Sequence, residues 1–142
     1  MINFDESITF LLGKVATAHK NSLERVLRAA GVHSGQAFAL MALWEQDGIR
    51  QIDLAETLNV APPTVNKILT GMVEKGLVTR ARYEGDARST RVYLTDAGRA
   101  LRPAVEQQWA VLESHVLEDL TENERLILPQ LLVKLLENYL GR

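Results

Sequence analysis

Thr64, Asn66, Lys67 and Thr70 lie close together in the chain, and their side chains suit nucleotide base edges and phosphate oxygens. An asparagine amide can pair with adenine through two hydrogen bonds. A lysine ammonium can reach guanine or a phosphate, and a threonine can meet a thymine methyl or a phosphate. Further along stands Arg88, in the polar stretch Glu84-Gly85-Asp86-Ala87-Arg88-Ser89-Thr90. A lone arginine on a protruding loop suits the enhanced negative potential of a narrow minor groove. Asp86 can accept from its guanidinium and hold it extended. Arg80, Arg82 and Arg91 flank this stretch and are placed to follow phosphates. Each group also has a plain alternative. Polar outer faces are the norm for surface helices, and a loop Arg–Asp pair is a surface ion pair of small weight.

Positioning these residues requires a particular order of elements. Apolar residues at Ile8, Leu11, Leu12, Val15, Leu23, Val26, Leu27 and Ala30 follow helical spacing. Gly31 ends that helix, and Ser34 is the expected cap of a second one carrying Phe38, Leu40, Met41, Leu43 and Trp44. A short helix over residues 51–58 is followed by a turn at Asn59-Val60-Ala61. Pro62 and Pro63 then open a helix that runs to about Lys75 and stops at Gly76. Val65, Ile68, Leu69, Met72 and Val73 give this helix one buried stripe, which turns Pro63, Thr64, Asn66, Lys67, Thr70 and Glu74 outward. A short helix, a turn and a second helix with a fully used inner stripe make a helix-turn-helix.

Leu77–Tyr83 and Arg91–Leu94 read as two antiparallel strands around the polar loop. Thr95 caps one long helix carrying Leu101, Val105, Trp109, Leu112, Val116 and Leu120. Thr121-Glu122-Asn123-Glu124 is a capping box opening a last helix, and Pro129 inside it is expected to kink the helix. Leu131, Leu132, Leu135, Leu136 and Leu140 exceed what one small domain can bury. A second copy of the chain packed on the terminal helices would cover them.

The composition fits this reading. The chain has 142 residues, a formal net charge of −2 and no cysteine. Disulfides and cysteine-ligated zinc are thereby excluded, and a cytoplasmic location is expected. The acidic start of the chain is not a signal peptide, and no apolar run is long enough to span a membrane. A negative total argues at first against nucleic acid, but the charge is unevenly spread. Residues 60–91 carry six cations against three anions, whereas residues 100–142 carry four against seven. A basic middle can still offer phosphate a local positive surface.

Residues from about Gly31 to Leu101 resemble the MarR family of winged-helix regulators. The matching pieces are Asp53–Leu58, Thr64–Leu69, Glu74–Arg80, the wing signature Asp86-Ala87-Arg88, and Val92–Gly98. Leu120–Arg125 before the leucine-rich helix resembles the family's C-terminal dimerisation helix. The resemblance implies a mostly α (α+β) fold. Residues 34–99 form a winged helix-turn-helix DNA-binding domain, and residues 1–33 and 100–142 form a helical dimerisation region. It implies a homodimer on a pseudo-palindromic operator, with the second helix of the motif in the major groove and the wing arginine in the minor groove. Repression is the usual outcome, and many members release DNA on binding a small aromatic ligand. By position, Asn66 and Lys67 fall among the base readers, Arg88 on the wing arginine and Asp86 on its partner. The chain departs from the family pattern at Pro62-Pro63, at Asn66 and at Pro129.

Phe38, Met41, Trp44 and Trp109 are candidates for an effector pocket, although aromatic residues on apolar faces more often pack a core. His19, His33 and His115 lack metal-ligand spacing, so no metal or other cofactor is expected. No phosphate-binding glycine loop or catalytic constellation supports an enzyme. The competing reading is a winged-helix protein-docking module, since fold alone does not dictate function. Such a module would need neither Lys67 and Asn66 nor the Asp86–Arg88 wing.

Overall fold

The structure is a computed structural model and describes residues 1–82 and 89–141. A 3-10 turn at Phe4–Glu6 leads into α1 (Ile8–Arg28), whose first turn is capped by the Ser7 hydroxyl accepting from the Phe10 N–H at 3.2 Å. Only Leu23 and Leu27 of α1 are buried; Ile8, Leu11 and Val15 are exposed. The apolar periodicity of α1 is therefore real, but its first half faces away from the protein's own core.

The cap of α2 (Ser34–Glu45) differs from expectation. His33, not Ser34, is the capping residue. Its Nδ1 accepts from the Gln36 N–H at 3.3 Å while Gln36 Oε1 accepts from the His33 N–H at 3.4 Å. Ser34 is the first helical residue, and its N–H donates to both carboxylate oxygens of Glu24 on α1 at 3.1 and 3.2 Å. His33 thus does the work expected of the Ser34 hydroxyl, and a carboxylate from a neighbouring helix takes the Ser34 N–H. Gln36, buried in the core, accepts from Lys75 Nζ at 2.7 Å.

After α2 the chain forms β1 (Ile49–Arg50), α3 (Gln51–Leu58) and α4 (Pro62–Glu74). The strands β2 (Val78–Arg82) and β3 (Thr90–Leu94) follow, then α5 (Asp96–Ala100), α6 (Arg102–Val116) and α7 (Glu122–Leu140). The sheet has three strands in the order β1-β3-β2, all antiparallel. Its register sets Val78 opposite Leu94, Arg80 opposite Val92 and Ile49 opposite Val92. β1 is the strand that sequence reading omits, since two residues are too few to show alternation. The single helix expected after Thr95 is two: α5 ends at Ala100 and α6 begins afresh at Arg102 with Pro103 in its first turn. Proline lacks the N–H that a continuous helix would need there. Thr95 and Thr121 cap as expected, by accepting from the Gly98 N–H at 3.1 Å and the Glu124 N–H at 3.2 Å.

The core joins both lobes of the sequence. Leu27, Leu40, Leu43, Leu54, Leu69, Met72 and Val92 are fully enclosed, and Val105 of α6 closes one side. The end of α4 is welded to the start of α5. Gly76 takes the left-handed conformation that ends α4 (φ 72°), and its carbonyl accepts from the Thr95 hydroxyl at 2.6 Å. The Leu77 carbonyl accepts from the Thr95 N–H at 3.0 Å. Gly98 lies against that same carbonyl so closely that a Cβ would run into the Leu77 oxygen. The Trp44 indole N–H donates to the Gly98 carbonyl at 3.0 Å. Asp47 completes the joint, with Oδ1 accepting from the Leu94 N–H at 2.8 Å and Oδ2 lying 3.4 Å from Arg99.

α7 runs through Pro129 as one helix, and of its described residues none is buried. No described helix is long and apolar enough to cross a membrane.

Two stability predictions follow from these contacts. Gly98→Ala forces the Leu77 carbonyl to move and costs about 1–3 kcal/mol, read as a lower denaturation midpoint at unchanged m-value. Hydrogen bonding from Ser34 holds the Glu24 carboxyl below its ordinary value. A carboxyl depressed in the folded state stabilises above its unfolded pKa and loses that contribution as pH falls through the folded one. Wild type should therefore exceed Glu24→Gln by about 0.5 kcal/mol at neutral pH. The gap in melting temperature should close as the pH drops below 4.5.

Candidate nucleic-acid interface

Leu54 and Ala55 bury the inner side of α3, and Asn59 ends it in the left-handed conformation (φ 53°). The Val60 N–H then donates to the Ala55 carbonyl at 3.1 Å, closing the turn before α4. α4 starts without a side-chain cap. Pro62 and Pro63 have no N–H to offer, and the Thr64 N–H donates to the Ala61 carbonyl at 2.9 Å. This end of the helix is short of the backbone donors with which helix N-termini hold phosphate.

The rotation of α4 follows from which residues it buries. Val65, Leu69 and Met72 are almost wholly enclosed. They lie within a narrow arc, because successive residues advance about 100° around a helix. Ile68 sits at one edge of that arc and is half-buried. Val73 lies about 80° from Val65 on the other edge and is 42% exposed. The five-residue buried stripe therefore narrows to three residues with Ile68 at its margin, and Val73 belongs to the surface.

Pro63, Thr64, Asn66, Lys67 and Thr70 are exposed together on the outer side. Arg80, from β2, comes to this face rather than away from it. Its Nη1 donates to Asn66 Oδ1 at 2.8 Å and its Nη2 to Thr70 Oγ1 at 2.6 Å. Gln51 of α3, which sequence reading does not single out, donates from Nε2 to the same Asn66 oxygen at 3.3 Å. Gln51, Asn66, Arg80, Arg82 and Thr90 line a groove of about 470 Å³ between α3, α4 and the sheet. Arg91 is half-buried, and its Nη1 donates to the Gly48 carbonyl at 2.9 Å. Arg50 pairs with Asp53 at 2.7 Å and holds the Asp53 carboxyl below its ordinary range by hydrogen bonding. Asp86 and Arg88 lie outside the described residues.

The aromatic candidates divide. Met41, Trp44 and Trp109 line a cleft of about 670 Å³ between α2 and α6, together with Val105 and a rim of Glu45, Arg102, Glu106 and Glu113. Arg102 spans this rim. Its Nε donates to Glu106 at 2.7 Å, and its guanidinium sits 5.6 Å from the centre of the Trp44 ring. Phe38 is outside the lining and meets Trp109 edge-on, with ring centres 6.1 Å apart. Among the described residues no group of three histidine, aspartate or glutamate side chains could hold a metal ion. His33 caps α2, and His115 Nδ1 lies 3.5 Å from Glu118.

Comparison with known proteins gives the same picture of the centre of the chain. Residues 32–90 match the model of the MarR family. The organic hydroperoxide resistance transcriptional regulator of Bacillus subtilis (strain 168) is 28% identical over 101 residues, which is 71% of this chain and 69% of that protein. The crystal structure of a MarR transcriptional regulator from Methanosarcina mazei Go1 superposes with a TM-score of 0.81 at 27% identity, covering 92% of this chain and 97% of the other. MepR of S. aureus, solved as a complex with DNA, superposes with a TM-score of 0.81 at 25% identity, covering 93% and 98%.

Proposed function

We propose that this chain, whose residues 32–90 match the model of the MarR family, is a sequence-specific transcriptional regulator of double-stranded DNA. The observation that carries this reading is the exposed outer face of α4, where Asn66 and Lys67 stand beside Arg80 and Arg82 of the sheet. Burial of Val65, Leu69 and Met72 against the core supplies a rigid mount for that face. α4 enters the major groove, while Arg88 of the wing, with Asp86 as its partner, enters the neighbouring minor groove. Pro63, Thr64 and Thr70 flank the base readers, Arg82 lines the groove beside them, and Arg82 and Arg91 follow phosphates. That the S. aureus relative was solved as a complex with DNA supports DNA binding.

The regulator acts as a homodimer that binds a pseudo-palindrome and represses. The support is the exposed apolar surface at the two ends of the chain. Leu126, Ile127, Leu131, Leu132, Leu136, Tyr139 and Leu140 of α7, together with Phe4, Ile8 and Val15, stand in solvent in the single chain. A second copy related by two-fold symmetry covers them and sets two recognition helices about 34 Å apart, one DNA turn. Residues 1–33 and 100–142 form this dimerisation region, and residues 34–99 the DNA-binding domain. The cleft between α2 and α6 takes a small aromatic effector that releases DNA, because α6 belongs to the dimer arm and α2 to the DNA-binding lobe.

A mobility shift on DNA from the protein's own promoter, at two salt concentrations, tests the reading. Binding should fall steeply with salt, and Lys67→Ala and Arg88→Ala should each weaken it. A flat salt dependence, or variants that bind as well as wild type, would favour the protein-docking module. The chain has two tryptophans, and both line the cleft. An effector should therefore change tryptophan emission over the same concentration range in which it releases DNA. Release without any change in emission would move the effector site elsewhere.

A further inference from the structure

On the outer face of α4 the side-chain oxygens of Asn66 and Thr70 are already engaged. Arg80 donates to Asn66 Oδ1 and to Thr70 Oγ1, and Gln51 donates to the same Asn66 oxygen. A guanidinium carries donors only, so the Asn66 atom that faces it must be the oxygen. That oxygen accepts through two lone pairs, and two donors occupy them. Thr70 spends its single proton on the Asn66 backbone carbonyl at 2.9 Å. What Asn66 has left to offer is its amide NH2 group. Lys67, next along the exposed face, contributes an ammonium, which has no acceptor.

We propose that Arg80 is a positioning residue that sets the base preference of α4 by making Asn66 a donor only. This rests on the reading of α4 as the helix that enters the major groove. An asparagine with a free oxygen reads adenine, accepting from N6 while donating to N7. With its oxygen held by a charge-assisted bond from Arg80, Asn66 loses that pairing. Donors side by side from Asn66 and Lys67 match guanine, whose N7 and O6 both accept, whereas adenine and thymine offer one acceptor each. They mismatch cytosine, whose amino group would meet no acceptor. The base facing Asn66 is therefore guanine, and Arg80 specifies it without touching it.

Selection from a randomised duplex pool by the whole chain, Asn66→Ala and Arg80→Met tests this, followed by affinities of the selected duplexes at several salt concentrations. Methionine keeps an apolar stem across α4 and removes the donors. The position at which Asn66→Ala loses its preference identifies the contacted base. Wild type should favour guanine there, and Arg80→Met should shift the preference towards adenine by roughly tenfold. Arg80→Met that weakens every duplex by one factor, with a salt slope reduced by about one, would make Arg80 a phosphate contact and overturn the proposal. So would a wild-type preference for adenine at that position, a result that does not depend on the Arg80 variant folding. Unchanged base preference in Asn66→Ala would overturn it as well. A wild-type chain that selects no duplex sinks the DNA-binding reading and this proposal together, whereas selective binding without the guanine preference sinks the proposal alone.

Discussion

Val65, Leu69 and Met72 lose nearly all contact with water, and their burial fixes how α4 is rotated about its axis. Each buried side chain of this size is worth roughly 1.5–3 kcal/mol. Rolling the helix by one residue's advance, about 100°, would expose part of that stripe and bury polar Asn66 and Thr70, or Thr64, instead. The identity of the outward face is thus set from the inside. The rest of the motif depends on the same anchor. α3 packs Leu54 against it, Gly76 ends it, and the weld of Gly76 and Leu77 to Thr95 and Gly98 ties its end to the sheet and to α5. Asp47 extends the joint to α2 by holding the Leu94 N–H.

Much of this was legible in the sequence, and what was legible shares a physical character. Elements marked by local signals came through: the α4 stripe, the prolines that open it, the glycine that closes it, and the Thr95 and Thr121 caps. What depends on partners distant in the chain did not. His33 rather than Ser34 caps α2, and Glu24, ten residues before Ser34, takes the Ser34 N–H. Val73 fits the spacing of the stripe but falls past its margin. β1 is too short for a pattern, and the break between α5 and α6 was marked only by Pro103, a residue equally at home inside a first turn.

The outer face shows the same division. That Asn66 and Thr70 point outward follows from helical period alone. That Arg80 reaches them, across 14 and 10 residues of chain, follows from the turn at Gly76 and the register of β2 on β3. Arg80 looked like one more strand arginine near a polar loop. Folding turns it into part of the helix surface, so the chemistry of that surface belongs to two elements. The cleft between α2 and α6 was half visible in the same way. Its tryptophans could be named, but the carboxylate rim around Arg102 arises only when α6 lies beside α2.

α7 carries a further consequence. A helix with none of its described residues buried draws little stability from its own chain, since isolated helices of this length are marginal in water. In the proposed homodimer its order is coupled to association, and mass action governs it. While such chains are single, each is a folded centre with α7 held loosely. Two such chains must meet before the paired form exists, so the amount of paired protein rises with the square of the chain concentration. A cell making twice as much of this chain would hold nearly four times as much of the competent species, and the threshold between silence and occupancy would be sharpened by the arm alone.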